Sequence, residues 1–410
     1  MKILILSDVF PPFAAGGAEM VAWRLTRRLL AAGHQVLVLS VCQDFDNSGW
    51  RQVDGVDVFF IFSRYNLRWR GWRGVCNPAV LKILNKKITE FGPDVIHAHN
   101  IHTHISYGAL WLAKRKCPKV FWTAHDVDSF HQDKFHSFID PELVYRSGQK
   151  FDYSLSISDH LRQLKKTLNP FRRPLVRFFL RQTNKNFAVS QELKEAMEQN
   201  GIRNVEVIYN GVDPVVDIGG LQTNELIHKK FAIDPNKKVV LMAGRMGRLK
   251  GTGLVLKYIS RLKDDLDNFV FVLIGSRYPG FFENAVGLDS YLLVLDWVPQ
   301  DDLARWYKRC DLVINPSVCL DTFNLTNVEA MLFKKPVVGT CFGGTREIIV
   351  DGVTGYVINP YNVELFSQKI GELLTDTAKA KEFGQAGYRR ALAEFSLNRQ
   401  LEKTISYYNL

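Results

Sequence analysis

The chain has 410 residues, 46% of them hydrophobic, with 53 Lys and Arg against 42 Asp and Glu, a net charge of +11. That length exceeds one ordinary core, so two domains are expected, and no apolar stretch approaches the roughly 20 residues that would span a bilayer. The cation surplus points to anionic partners, with nucleic acid, acidic membrane surfaces and nucleotide phosphates all open on that number.

The six cysteines, Cys42, Cys76, Cys117, Cys310, Cys319 and Cys341, include no CxxC pair and suggest no disulfide framework, which fits a reducing, cytoplasmic setting. The opening MKILIL reads as a buried first strand rather than a secretory segment, because Asp8, Pro11 and Pro12 interrupt it at once. A loop rich in Pro, Ala and Gly follows, then a helix from about Glu19 to near Gly33 and a second strand at Gln35 to Ser40. Val56 to Ile61, Val95 to His97, Val120 to Thr123 and Phe187 to Val189 continue as short strands with helical patterns between them. Parallel βαβ units require such helical connections between strands.

Asn210-Gly211-Val212-Asp213 reads as a boundary, and a less regular connector runs to about Lys238. The logic then restarts. Val239 to Met242, Phe269 to Ile274, Tyr291 to Leu295, Leu312 to Ile314 and Val337 to Thr340 are strands, with a helix at Thr252 to Lys263. From about Ala378 the tail is helical and polar, and Ser396 is placed to cap a last helix. The expected division is 1–210 and 211–394, with a terminal helix over 395–410 packing back on the first domain. Ligands of open parallel sheets bind beyond the carboxyl ends of the strands.

The strongest local signal follows the strand at Val239: Ala243-Gly244-Arg245-Met246-Gly247-Arg248-Leu249-Lys250-Gly251. A strand that delivers Arg245 and Lys250 into a glycine-rich turn before a helix suits a diphosphate, since the cations neutralise it and the helix N-terminus offers unpaired N–H groups. The spacing matches neither GxGxxG nor a Walker A loop. A solvated basic turn with structural glycines is the competing interpretation. The second signal is Asp321-Thr322-Phe323-Asn324-Leu325-Thr326-Asn327-Val328-Glu329, two carboxylates with seven residues between them. Carboxylates accept from vicinal hydroxyls of a sugar or ribose, and the N–H groups of Phe323 to Thr326 could open a helix toward phosphate. Asp321 also fits a plain turn residue and Glu329 a surface helix residue.

These two motifs in this order resemble the GT-B fold glycosyltransferases, in particular the large family 4 of retaining enzymes. Pro11 to Glu19 looks like the family's first glycine loop, Asp94 to His99 like the strand before its acceptor region, and Gly343 to Glu347 with Asp351 to Tyr356 like its C-terminal signature. The resemblance implies two facing Rossmann-like domains with an interdomain cleft, and transfer of a sugar from a nucleoside diphosphate, UDP or GDP, to a saccharide or lipid-linked saccharide acceptor in glycan synthesis. It implies that Arg245 and Lys250 hold the diphosphate, that Glu329 binds the ribose and that Asp321 faces the donor sugar. Gly16 or Gly17 would offer an N–H to phosphate, His125 would approach the sugar, and Arg277 and Val298 would lie by the nucleobase. Two departures stand out: Asp321 where the family has Glu, and Asn324 where it often has Gly, a replacement that a left-handed backbone would still tolerate.

No metal or other cofactor is expected. Asp126-Val127-Asp128 resembles the metal-holding pair of the GT-A fold, but local turn chemistry accounts for it away from the phosphate turn. His97, His99, His102 and His104 read as polar lining on the acceptor side, with a metal cluster as the alternative. Arg64 to Arg73, Leu161 to Lys166 and Phe171 to Arg181 mix cations with aromatic and aliphatic residues. They suit docking on an anionic membrane face, and equally a solvated basic surface. No helix-turn-helix, zinc-finger, RNP or KH pattern favours nucleic acid. The rival functions are a sugar-nucleotide epimerase on the same fold and a non-catalytic anion-binding protein.

Overall fold

The computed structural model describes residues 1–13, 16–214, 227, 230–231, 233–276, 285 and 287–410, less the side chains of 164, 166 and 167. The chain forms two compact units, Met1–Ser137 with Asp152–Gly211 and Leu397–Leu410, and Phe138–Phe151 with Val212–Ser396.

Unit 1 is built on strands β1 (Lys2–Leu6), β2 (Gln35–Cys42), β3 (Gly49–Val53), β4 (Val56–Phe62), β5 (Val95–Ala98), β6 (Lys119–Ala124), β7 (Lys185–Ala188) and β8 (Val205–Val207). They form one sheet in the order β3-β4-β2-β1-β5-β6-β7-β8. Ile3, Leu4, Ile5 and Leu6 are all buried, odd and even alike, so both faces of β1 are covered, which is why its sequence is an unbroken apolar run. Every neighbour pair is parallel except β3 with β4. The sequence reading left β3 out. Its signal is the two-residue turn Asp54-Gly55, where both φ angles are positive, 48° and 81°, as a type I′ hairpin requires. The edge strand β8, three residues long, was also missed because it is too short to show a period.

The helix Leu397–Tyr408 belongs to unit 1. Tyr408 is fully buried against Phe121, with ring centroids 5.3 Å apart, and its hydroxyl lies 2.6 Å from His97 Nδ1. Tyr407 packs on Phe187 at 5.0 Å.

Unit 2 has strands β9 (Lys238–Ala243), β10 (Phe269–Ile274), β11 (Leu292–Leu295), β12 (Leu312–Asn315), β13 (Val337–Thr340) and β14 (Gly355–Ile358), in the order β11-β10-β9-β12-β13-β14 and parallel throughout. β14 also lacked a strand assignment from sequence. Residues 138–151 belong here for a local reason. Phe138 and Phe151 pack on Phe342 at 6.0 and 5.8 Å, and Asn359 Nδ2 donates to the carbonyls of Asp140, Pro141 and Leu143 at 3.3, 3.0 and 3.0 Å.

In each sheet the chain winds outward from one strand and then returns to that strand's other side, from β1 to β5 and from β9 to β12. At such a reversal the loops leaving the two strands splay apart and make a crevice at the carboxyl edge. The reversal in unit 2 makes neighbours of two segments some seventy residues apart: Leu312 pairs with Val240 and Val313 with Leu241.

Candidate functional site

β9 ends at Ala243, and the chain passes through Gly244 into a 3-10 turn at Arg248–Lys250. Gly251 follows with φ of +73° and caps the helix Thr252–Leu262. A Cβ on Gly251 would lie 1.9 Å from the Pro316 carbonyl oxygen, so both the backbone angle and the close approach require glycine. The Gly247 N–H donates to Thr252 Oγ1 at 3.0 Å, and Val318 N–H to the Leu249 carbonyl at 3.0 Å, which ties the turn to the segment leaving β12.

That segment carries Asp321, which is buried. Lys250 Nζ donates to Asp321 Oδ2 at 2.6 Å, Asn324 Nδ2 donates to the same oxygen at 3.1 Å, and Ser317 Oγ lies 2.9 Å from it. Burial alone would lower the pKa of Lys250, but the Asp321 carboxylate outweighs it, so the ammonium is held above its usual range. Asp321 is thus engaged as the counter-ion of Lys250. Arg245 is exposed and pairs with no carboxylate among the described residues.

Asn324 does not adopt the left-handed backbone considered for it: its φ is −87° and ψ 101°. It is instead the N-cap of the helix Leu325–Leu332, its Oδ1 accepting from Thr326 N–H at 3.0 Å and from the Thr326 hydroxyl. Asn is favoured there because its side chain satisfies an otherwise orphaned N–H. The cap takes the Thr326 N–H for itself, which removes it from the expected set of phosphate donors, whereas Leu325 opens the helix and Phe323 is buried with its ring edge-on to Phe395 at 5.7 Å. Glu329, expected as an exposed helix residue if structural, is buried, and Tyr307 OH donates to its Oε2 at 2.9 Å. Tyr307 and Ser317 had no sequence signal of their own, since their roles come from contacts across helices and loops. Val298 is half-buried beside the exposed Trp297 in the loop after β11. Arg277 lies outside the described residues.

In unit 1 the loops leaving β1, β5 and β6 are neighbours by the same sheet logic. Gly16 is the N-cap and Gly17 the first residue of the helix Gly17–Ala31. The Glu19 carboxylate folds back over this start, with Oε2 2.2 Å from where a Gly16 Cβ would stand. Asp8, buried after β1, accepts from the N–H groups of Thr103, His104 and Ile105 at 2.6, 2.9 and 2.6 Å and so shapes the loop after β5.

His97, His99 and His125 form a buried stack, with centroids 4.5 Å apart for the first pair and 5.3 Å for the second. His99 Nδ1 lies 2.9 Å from His125 Nε2, and His97 Nε2 lies 2.7 Å from Thr123 Oγ1. Burial drives the pKa of His97 and of His125 down to about 3, and that of His99 well below its usual value, so all three are neutral near pH ~7. His102 behaves oppositely. Burial would lower it, yet Asp126 at 3.6 Å, with Asp128 and Asp8, raises it.

The Asp126-x-Asp128 pair is local turn chemistry and an ion pair: Asp126 Oδ1 accepts from Asp128 N–H at 2.9 Å. Asp128 is buried between Arg172, in direct contact, and Arg70 at 2.9 Å. Although burial opposes it, these guanidiniums and His102 hold the carboxyl below its usual range. Among the described residues no group of three or more His, Cys, Asp and Glu side chains is placed to hold a metal ion.

The basic stretches divide. Leu67, Trp69 and Trp72 are 64%, 57% and 40% exposed, and Arg64, Arg68 and Arg73 beside them are exposed as well. Leu161, Phe171 and Phe178 are also exposed, but Arg172 is buried against Asp128 and Arg177 donates to the Asn200 carbonyl at 2.6 Å, so 171–181 is not one basic surface. Among the described residues no helix is long and apolar enough to cross a membrane.

Two family profiles match the chain: "Glycosyltransferase Family 4" over residues 15–216 and "Glycosyl transferases group 1" over residues 223–390. An uncharacterized glycosyltransferase of Methanocaldococcus jannaschii is 24% identical, covering 100% of this chain and 98% of its own. Among solved structures, sucrose-phosphate synthase from Thermosynechococcus elongatus is similar at a TM-score of 0.74 and 16% identity, over 100% of this chain and 98% of that one. Anabaena HepE, in complex with UDP and glucose, is similar at a TM-score of 0.69 and 20% identity, over 99% and 98%. At these identities the structural likeness is one of fold.

Proposed function

Since the chain belongs to the glycosyltransferases of group 1 and family 4, with two parallel-sheet α/β domains of the GT-B kind, we propose that it moves a sugar with retention of anomeric configuration. The donor is a nucleoside-diphosphate sugar and the acceptor a saccharide or lipid-linked saccharide. The observation that carries the reading is the turn after β9, with Lys250 and the exposed Arg245 beside a helix start forced by Gly251, next to the segment bearing Asp321 and Glu329.

In this reading the bond between the anomeric carbon and the diphosphate oxygen breaks while the acceptor oxygen bonds to that carbon from the same side. The acceptor proton passes to the departing diphosphate. Arg245 and Lys250 stabilise the charge that gathers on it, and Lys250, held in place by Asp321 before reaction, costs little reorganisation. Asp321 holds Lys250 in position and faces the donor sugar, while Glu329 accepts from the ribose hydroxyls and Val298 packs by the nucleobase. Phe323 and Leu325 are assigned to the donor on the resemblance alone. We assign His125 to the transferred sugar and Gly16 and Gly17 to phosphate on the resemblance alone. The burial-lowered His125 pKa makes it a neutral hydrogen-bonding group rather than a cation. No metal is needed, because the two cations and the helix start already supply positive charge.

The test is thermal stabilisation by UDP, GDP, ADP, CMP and NAD, with and without EDTA. A ligand at about 100 times its dissociation constant adds about 2.7 kcal/mol, an easily visible shift. An EDTA-insensitive shift with one nucleoside diphosphate supports the reading; no shift, or one that needs metal, removes it. Turnover that requires no acceptor would point to an epimerase instead.

The exposed Leu67, Trp69 and Trp72 among Arg64, Arg68 and Arg73 favour a second element, docking on an anionic membrane face where a lipid-linked acceptor would reside. Protein that stays in the supernatant with anionic liposomes at low salt would end that proposal.

A further inference from the structure

We propose that Tyr307 is a positioning residue for Glu329, holding its carboxylate in the orientation that accepts the hydroxyls of a ribose. The inference rests on the ribose role given to Glu329 above.

Tyr307 stands on the helix Gln300–Arg309, which leads into β12, and is 1% exposed. Its ring stacks on Phe333 at 5.5 Å with the planes 20° apart, and Phe333 directly follows the helix that carries Glu329. The phenol is therefore fixed at both ends, by its ring on Phe333 and by its hydroxyl on Glu329 Oε2 at 2.9 Å. Burial, and next the Glu329 charge, push the Tyr307 pKa well above the usual phenol range, so the group remains a donor wherever the protein is folded.

A glutamate side chain has three rotatable bonds, and its carboxylate has about four acceptor sites on two oxygens. Two vicinal hydroxyls are accepted well only when the carboxylate plane is already set, because otherwise binding must also freeze those rotations. Tyr307 uses one site on Oε2 and sets that plane. It touches Glu329, not the ligand.

Tyr307→Phe keeps the ring and its stack and removes only the donor. Binding of UDP, 2′-deoxy-UDP and inorganic pyrophosphate would be measured for wild type, Tyr307→Phe and Glu329→Gln, using the guanosine pair if GDP gives the larger thermal shift. In Tyr307→Phe, UDP affinity is expected to fall about tenfold. The preference for the ribose form over the deoxy form shrinks toward unity, while pyrophosphate binding holds. A Tyr307→Phe protein that weakens for all three ligands alike has lost general structure, which overturns the positioning role. So does one that keeps the full ribose preference while Glu329→Gln loses it. If Glu329→Gln itself keeps that preference, the ribose reading of Glu329 falls, and the inference with it.

Discussion

Lowering the pH from about 7.5 to about 5 perturbs the imidazoles of unit 1 before the carboxylates respond, and the structure sets the size of the effect. His97 and His125 titrate near 6.5 in an unfolded chain, while burial brings both to about 3 in the folded one. Above 6.5 neither state is protonated and there is no difference between them. As the pH falls through that value the unfolded chain takes up protons that the folded stack refuses. Stability is therefore lost progressively from near 6.5 toward 3, and the loss levels off below it. At about pH 5, roughly 1.5 units down, each of the two costs about 2 kcal/mol, so about 4 kcal/mol together. His99 adds in the same direction, as do His34, His104, His131 and His160, while His102, whose pKa is raised, opposes them. Against a typical stability of about 5–15 kcal/mol this is a large fraction, equivalent to about 10 °C in Tm. Six of the eight tryptophans lie in unit 1, so intrinsic fluorescence during thermal or urea unfolding of the whole protein reports on the right part. His97→Gln, less stable at neutral pH for want of the imidazole's contacts to Tyr408 and Thr123, should show a shallower pH slope. A wild-type Tm that moves less than about 2 °C across the window would refute the reasoning.

Lys250→Ala and Arg245→Ala should each cut turnover by orders of magnitude, and near-normal activity in both would remove the diphosphate assignment. Arg245→Ala should keep an unfolding curve near wild type, whereas Lys250→Ala also leaves the buried Asp321 without its counter-ion and should unfold more readily. Asp128→Ala should cost about 3–5 kcal/mol in urea unfolding, because it leaves the buried Arg172 without its counter-charge. Gly251→Ala should destabilise unit 2 by at least about 2 kcal/mol and weaken nucleotide binding, since its Cβ would meet the Pro316 oxygen from a left-handed backbone. Unfolding curves followed through the two unit 2 tryptophans, Trp297 and Trp306, with the other six replaced, would check it.

The strands with unbroken apolar runs, such as Ile3–Leu6 and Phe269–Ile274, were legible because burial on both faces leaves a mark in composition alone. β8 was not, because three residues at a sheet edge carry no period. The glycine turn and the two carboxylates were legible as motifs, since close backbone approach and helix starts restrict residue type locally. Asn324 shows the limit of that reading. The sequence suggested a residue tolerated in place of glycine, and the structure has a helix cap, because the hydrogen bond to Thr326 decides the backbone.

By itself the sequence determined the alternation of strand and helix, the phosphate-suited turn and the family likeness, all of which rest on spacing within a few residues or on motif order. Only the tertiary structure decided that Lys250 is paired with Asp321, that Tyr307 holds Glu329, and that His125 ends a neutral buried stack anchored to Tyr408 through His97. Those partners lie from about twenty to more than three hundred residues apart. Strand order and helix packing bring them together, and neither is written in any local window of the chain.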